Sequence, residues 1–392
     1  MSTVWGEPPG VGGGVDDAKG EMIRDLPAPG AESPAAKARA ASSVLLMTVA
    51  VLLLVAATAE AASKTVHIRG KAYSFNHAEI HLVGATIRVR EMPRRSVVTD
   101  ANGDYDLEVP DDATITSYID PGPGFNEIDL QTFHTRGQNI RNANFQTPAD
   151  LEYQGLAALL GVELGPDGRP TECVVVTTAS ARNVRGVPFE TFVERTPHGV
   201  AGATASSVPA LPGPTYFNDA VIPDPAQTES SGDGGIVWDR VPAGTYRFLA
   251  QHPSTAFASF LATCEPGRVV NANPPWGMYE LAAGEEPLGA GIVAASVEKP
   301  RAVRSGKRDR FVQLRVETAE GIGVRTVLRK AGERVARKTV SNLQRGSLKL
   351  RLRIGQRVRS GRALVRTRLL DAAGDRVIDK RRIRLPRVGR RG

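Results

Sequence analysis

The chain has 392 residues, more than one hydrophobic core ordinarily serves, so two or three domains are expected. Gly and Pro supply 67 residues while 41% of the chain is hydrophobic, a balance that suits a turn-rich β protein and excludes collagen and coiled coil. The net charge of +8 conceals a segregation: residues 298–392 hold 30 Lys and Arg against 8 acids, and the remainder holds 20 against 34.

Residues 1–36, rich in Gly, Pro and Ala, read as a disordered tail, or as sequence ahead of a later start such as Met22. Lys37 and Arg39 then precede an uncharged run, 40–59, whose apolar centre is 49–55, and small residues follow at Ala57, Ala59, Ala61 and Ala62. Charged, apolar and small residues in that order make a secretory signal. Ala57-Thr58-Ala59 and Ala59-Glu60-Ala61 both offer a cleavage site. Left uncut, the run approaches the roughly 20 residues that span hydrocarbon, and Lys37 and Arg39 would stay cytoplasmic. Residues 37–62 are therefore expected to be a signal peptide or a signal anchor, and the protein to be secreted or held in a cell envelope, outside the cytoplasm. In the second case the apolar segment attaches it to the membrane.

The oxidising conditions met by an exported chain favour a disulfide between Cys173 and Cys264, the two cysteines present, over two free thiols. They lie 91 positions apart and would tie the two ends of one domain together. On the chain-entropy account a loop of that size contributes about 4 to 5 kcal/mol.

From Lys64 the pattern has period two, with Val66 and Ile68 and then Ala85, Ile87 and Val89 alternating with polar neighbours, as half-buried strands do. Asn102-Gly103 within 100–104 predicts a hairpin turn, because such turns need positive φ. Tyr105, Leu107 and Val109 continue the alternation beyond it. A related arrangement returns at 230–248, where a Gly-rich stretch leads to Ile236-Val237-Trp238 and then Val241-Pro242-Ala243-Gly244-Thr245-Tyr246.

Thr99-Asp100 with Gly103-Asp104-Tyr105 and Leu107-Glu108-Val109-Pro110 resembles the carboxypeptidase regulatory-like modules, and the turn at 241–246 is similar to the same superfamily. The resemblance covers 64–146 well and 166–283 loosely. It implies transthyretin-like (prealbumin-like) β-sandwiches that are non-catalytic, many of them grouped with carbohydrate-binding-like folds. A Pro-, Ala- and Thr-rich insertion at 187–228 departs from that pattern, with few clear strands.

Between the two modules, Thr147 as N-cap, Pro148 at the first helical position and Asp150 predict a helix with Leu151, Leu156, Leu159 and Leu160 on one side and Gly161 at its end. From about Val297, Val312/Leu314/Val316 and Leu348/Leu350/Leu352 alternate with polar or charged residues, and about seven short strands predict an immunoglobulin-like sandwich. Its last hairpin is expected at 371–375. The fold class is thus mainly β: tandem transthyretin-like and immunoglobulin-like β-sandwiches with one short linking helix. Expected boundaries are 64–146 for the first module, 147–165 for the helix, 166–283 for the second module, 284–296 for a linker and 297–388 for the basic sandwich.

Catalytic chemistry finds little support. Asp100, Asn102, Asp104 and Glu108 open like a calcium loop, but Tyr105 occupies the position that needs Gly, so a decorated turn is the better reading. His77 and His81 enclose Glu79 in the order H-x-E-x-H, which is not a zinc helix motif. No G-x-S-x-G elbow is present. No metal or cofactor is expected, and the protein is read as a non-enzyme.

Trp276, Tyr279 and Trp238, with Tyr216 and Tyr246, could instead form an aromatic platform for sugar rings, Trp276 being favoured because 271–277 reads as a Pro-rich loop. The basic C-terminal region suits an anionic partner, yet no aromatics interleave its strands and export removes it from cytoplasmic nucleic acid, so no nucleic acid is expected. Arg outnumbers Lys 40 to 10, a bias that genome composition also produces. The leading expectation is an exported envelope protein that binds envelope polysaccharide or another anionic surface polymer, or acts as an adhesive spacer. The alternatives are an enzyme whose site lies in the insertion, using His198 and Asp219, and a purely structural surface protein.

Overall fold

The computed structural model describes residues 64–195, 198–272, 274–305 and 309–387. The expected tail at 1–36 and signal segment at 37–62 lie outside the described residues. Among the described residues, no helix is long and apolar enough to cross a membrane. The protein is mainly β.

Strand Asp104–Pro110 shows how the alternation is used: Tyr105, Leu107 and Val109 are buried while Asp104, Asp106 and Glu108 face water. It pairs antiparallel with Thr65–Ser74, from Thr65 opposite Pro110 to Lys71 opposite Asp104. A second layer comes from Thr86–Val89, Ser96–Val98, Thr114–Asp120 and Ile128–His134. Ile68, Ile87, Leu107, Val109, Ile119 and Phe133 fill the space between.

The Asn102-Gly103 turn is not a hairpin. Strand Ser96–Val98 pairs with Thr86–Val89, and Asp104–Pro110 pairs with Thr65–Ser74, so the turn carries the chain from one layer to the other. Glycine is still required: Gly103 has φ +73°, and a Cβ there would lie 2.5 Å from the carbonyl oxygen of Ala72.

Strand Ile128–His134 is buried at every position because it is interior to a larger sheet. Thr132 pairs with Leu261 of Phe260–Cys264, and Asp129 with Val270 of Val269–Ala272. The two stretches that read as separate modules are thereby joined in one 14-stranded sheet. Val174, Val237, Val269 and Trp276 from the second stretch close the core of the first. A second core, with Val175, Trp238, Phe248 and Phe260, lies on the other side.

The helix runs Asp150–Leu160, with Ala149 as N-cap in place of Thr147, which ends a strand instead. Gly161 closes it in the left-handed conformation, as expected. Its buried face carries Tyr153 and Ala157, whereas Leu151 and Leu159 are exposed. The insertion holds more structure than its composition suggests, with a short helix Phe189–Glu194 and strands Thr204–Val208 and Thr215–Phe217.

The basic region forms two facing four-stranded sheets. One holds Ala295–Val297, Arg301–Ser305, Asp309–Thr318 and Gly346–Ile354; the other orders Glu333–Leu343, Ile322–Lys330, Gly361–Leu370 and Arg376–Leu385. Eight strands of up to 11 residues thus stand where about seven short ones were expected. Val312, Leu314, Val324, Leu328, Val365 and Leu369 make the core. The 371–375 hairpin forms, with Asp371 Oδ1 accepting from the backbone N–H groups of Ala373 and Asp375.

Candidate functional site

Cys173 and Cys264 form a disulfide. Cys173 opens the strand Cys173–Ser180 and Cys264 ends Phe260–Cys264, two strands separated in the sheet order by Ile128–His134 and Val269–Ala272. Their Cα atoms are 5.5 Å apart, so the sheet curls back on itself and the bond closes the curl.

The aromatic platform predicted at Trp276, Tyr279 and Trp238 is a correction. All three rings are buried, at 6%, 2% and 3% exposure, and Tyr216 and Tyr246 are buried as well. Trp276 could be enclosed because its Nε1–H reaches the carbonyl oxygen of Arg141 at 2.9 Å, while its ring meets Phe133 edge-on. The hydroxyl of Tyr279 accepts from the backbone N–H of Leu288 at 2.6 Å, and burial pushes its pKa up to about 12. Trp238 packs on Phe248. None of these faces is open for a sugar ring.

Asp100 spends its carboxylate on the turn: Oδ1 accepts from the N–H groups of Asn102 and Asp104, which hold its pKa below the usual range. Asp104 pairs with Lys71 at 3.1 Å. His77 and His81 lie on one strand, where four residues span about 13 Å, too far for a shared ion. Among the described residues no group of three or more His, Cys, Asp or Glu is placed to hold a metal. Asp219 Oδ1 accepts from the N–H of Gly232, and Asp219 does not line the cavity that His198 lines.

The basic sandwich is fastened to the preceding β body by a buried ion cluster that the sequence did not disclose. Arg247, 1% exposed on strand Gly244–Gln251, bonds bidentately to Glu320, with Nε to Oε2 at 2.5 Å and Nη2 to Oε1 at 2.6 Å. Its remaining nitrogen reaches Ser259 Oγ and the carbonyl oxygen of Gly291. Asp371 stands 3.4 Å from Arg247 Nε with a side chain wholly out of solvent. Charge pairs of this geometry fix two parts in one register, because leaving any member unpaired is costly.

The most unusual surface is the outward face of the sheet Glu333–Leu343, Ile322–Lys330, Gly361–Leu370 and Arg376–Leu385. Strand alternation sends Val324, Thr326, Leu328, Val365, Thr367 and Leu369 inward. The other parity therefore carries Arg325, Arg329, Arg334, Arg337, Arg362, Arg366, Arg368, Arg376, Lys380, Arg382 and Arg384 to one face. No acidic residue shares that parity. Register sets like charges directly opposite one another: Arg325 faces Arg368, Arg366 faces Lys380, and Arg362 faces Arg384. Neighbouring strands are only about 4.8 Å apart, and directly opposed like charges destabilise a sheet.

On the facing sheet two arginines are matched, while Arg301, Arg304, Arg310 and Arg351 have no carboxylate partner among the described residues. Arg315 lies near Glu298 and Glu317, and Arg353 pairs with Asp309. On the cationic face, Arg376 approaches Glu286 at 3.9 Å, and the other ten cations have no carboxylate partner among the described residues. Val327, Leu364, Leu370 and Ile378 lie between them on the same face.

No family model and no curated protein matches this chain. The solved structures similar to it include a pilin subunit and an adhesion protein. The major pilin subunit BcpA of Bacillus cereus shows 9% identity over 55% of this chain and 69% of that chain, with a TM-score of 0.17. A tetra-tandem repeat from the extending region of a large adhesion protein shows 10% identity over 82% and 74%, with a TM-score of 0.21. DesR, a β-glucosidase from Streptomyces venezuelae, shows 14% identity over 25% of this chain and 16% of its own, with a TM-score of 0.17. Superpositions this loose carry no functional identity.

Proposed function

We propose that the protein is an exported, non-catalytic component of a cell envelope that adheres to an anionic surface polymer through the outward face of its C-terminal sandwich. The observation that carries this reading is the cationic face with its opposed, unneutralised arginines. Such a face lowers the stability of its own sheet and gains only when a polyanion covers it. Arginine supplies ten of the eleven cations, and its planar fork suits phosphate and carboxylate oxygens bidentately. The interleaved Val327, Leu364, Leu370 and Ile378 give the polymer's apolar surface something to lie against.

The preceding β body acts in this account as a stiff spacer, curled shut by the disulfide and locked to the sandwich by Arg247. The disulfide and the apolar run at 40–59 support export. The likeness of 99–110 and 241–246 to carboxypeptidase regulatory-like modules supports a non-catalytic body. With Trp276, Tyr279 and Trp238 enclosed, charge rather than ring stacking is the better source of polymer affinity.

Full-length protein is to be titrated with isolated anionic envelope polymer at low and at high salt, and cells fractionated in parallel. Binding that weakens steeply with salt, with the protein in the envelope fraction, is the expected outcome. Salt-independent binding, or a purely cytoplasmic protein, overturns the reading.

A further inference from the structure

A cleft of about 260 Å³ lies where the first strand pair, the strand Cys173–Ser180 and the insertion meet, and Tyr73, Gln146, Phe192, His198, Phe217 and Asp233 are among its walls. Its position follows from two glycines. A Cβ on Gly199 would lie 2.3 Å from the Cα of Gly234, and Gly234 itself has φ +79°, so only glycine allows the two backbones to touch. Gly199 N–H donates to the carbonyl oxygen of Gly232 at 3.0 Å, and Gly199 bridges to Ser180. The residues just before the two glycines, His198 and Asp233, are thereby carried to the same cleft.

The electrostatics of the cleft are opposite to those of the basic sandwich. No Lys or Arg lines it among the described residues, and Asp233 is its one carboxylate. Asp233 is half-buried, and Oδ2 accepts only the N–H of Gly235, at 3.0 Å. Desolvation raises its pKa, with nearby His198 opposing and Asp219 adding to the rise. The imidazole of His198 stacks on Phe192 with centroids 5.3 Å apart, and its buried Nε2 has no hydrogen-bond partner. A partly desolvated carboxylate, an unsatisfied ring nitrogen and aromatic walls are together short of one thing, a cation with several N–H donors. The volume lies below the roughly 300–1,000 Å³ of sites for drug-sized ligands, so the occupant is about the size of one side chain.

We infer that this cleft binds a primary ammonium group on an alkyl stem, the head held by Asp233 and by Nε2 of His198 and the stem lying along Phe192 and Tyr73. With its proton on Nδ1, His198 presents Nε2 as an acceptor, and the ammonium brings three donors. Anionic ligands are repelled, and a neutral alcohol of the same length leaves the carboxylate uncompensated. The inference is independent of polymer adhesion by the C-terminal sandwich, which repels the same probe.

The test is calorimetric titration of the full-length protein with cadaverine, against 1-pentanol and glucose. Saturable cadaverine binding is expected, weakened about tenfold or more in Asp233→Asn, a change that keeps the acceptor for Gly235 N–H. Phe192→Leu, on the short helix at the cleft wall, should weaken it several-fold. No saturable binding to wild type, unchanged affinity in either folded variant, or preference for glucose overturns the assignment.

Discussion

The β body and the C-terminal sandwich distribute charge differently. In the body, several cations are answered by carboxylates: Arg69 by Asp106, Lys71 by Asp104, and Arg90 by Glu127 and Asp129. In the sandwich one sheet follows this pattern in part, at Arg315 and Arg353, and the outward face of the other gathers a larger set of cations with no acid of the same parity. Core composition differs as well: rings such as Phe133, Phe145 and Trp276 pack into the body, whereas the core of the sandwich is aliphatic. The difference in surface charge is the one that bears on a partner, and the unmatched face marks where that partner's charge belongs.

The largest effects should come from the parts that hold the body rigid. Arg247→Ala leaves Glu320 and Asp371 buried without their cation and should cost about 3–5 kcal/mol in denaturant melts. Trp276→Ala should cost a similar ~3–5 kcal/mol as a core deletion, while polymer affinity of the folded fraction stays unchanged. A loss of affinity without a loss of stability would instead restore the stacking platform. Cys173→Ala with Cys264→Ala removes the clasp on the curled sheet and should lower stability by about 2–5 kcal/mol, an effect that reductant reproduces in the wild type.

The ion cluster should also write a pH dependence onto stability. Burial lifts the Asp371 carboxyl from its ordinary 3.8 to about 6, with Arg247 opposing and Glu320 and Asp375 adding to the rise. An acid raised on folding contributes fully below its unfolded value and loses that contribution as pH rises through the folded one. Between about pH 4 and pH 7 the wild type should therefore lose up to about 3 kcal/mol relative to Asp371→Asn. Parallel pH profiles of the two proteins would contradict a docked, desolvated cluster. The smallest effect belongs to the turn: Gly103→Ala should cost about 1–3 kcal/mol through strain and contact with the Ala72 carbonyl.

Much of this architecture is legible in the sequence because side-chain alternation reports which face of a strand is buried. Val312, Leu314 and Val316, or Tyr105, Leu107 and Val109, announce their strands directly. Gly161 marks the helix end for the same kind of local reason. Pairing is less visible. Asn102-Gly103 carries the right φ for a hairpin, but which strands its ends join depends on distant main-chain bonds. The continuity through Thr132 and Leu261 is likewise made by backbone groups that leave no side-chain signature. Trp276 misleads because Pro274 and Pro275 read as an exposed loop, while the indole N–H finds a carbonyl partner 135 positions away. The helix N-cap falls at Ala149 because Thr147 belongs to a strand. The cationic face was half legible: the charge excess is plain in composition, but its lack of carboxylate partners emerges only once register brings Arg325 opposite Arg368.

The central claim is tested most directly by the salt dependence of polymer binding in full-length protein carrying Arg325→Gln, Arg366→Gln, Arg368→Gln and Lys380→Gln together. These changes leave the inward-facing core parity untouched and relieve like-charge repulsion, so stability should hold or rise slightly. The account predicts that affinity for anionic envelope polymer falls and that the slope of log affinity against log salt flattens by on the order of one for each lost contact. An unchanged affinity and slope in the folded variant would contradict it.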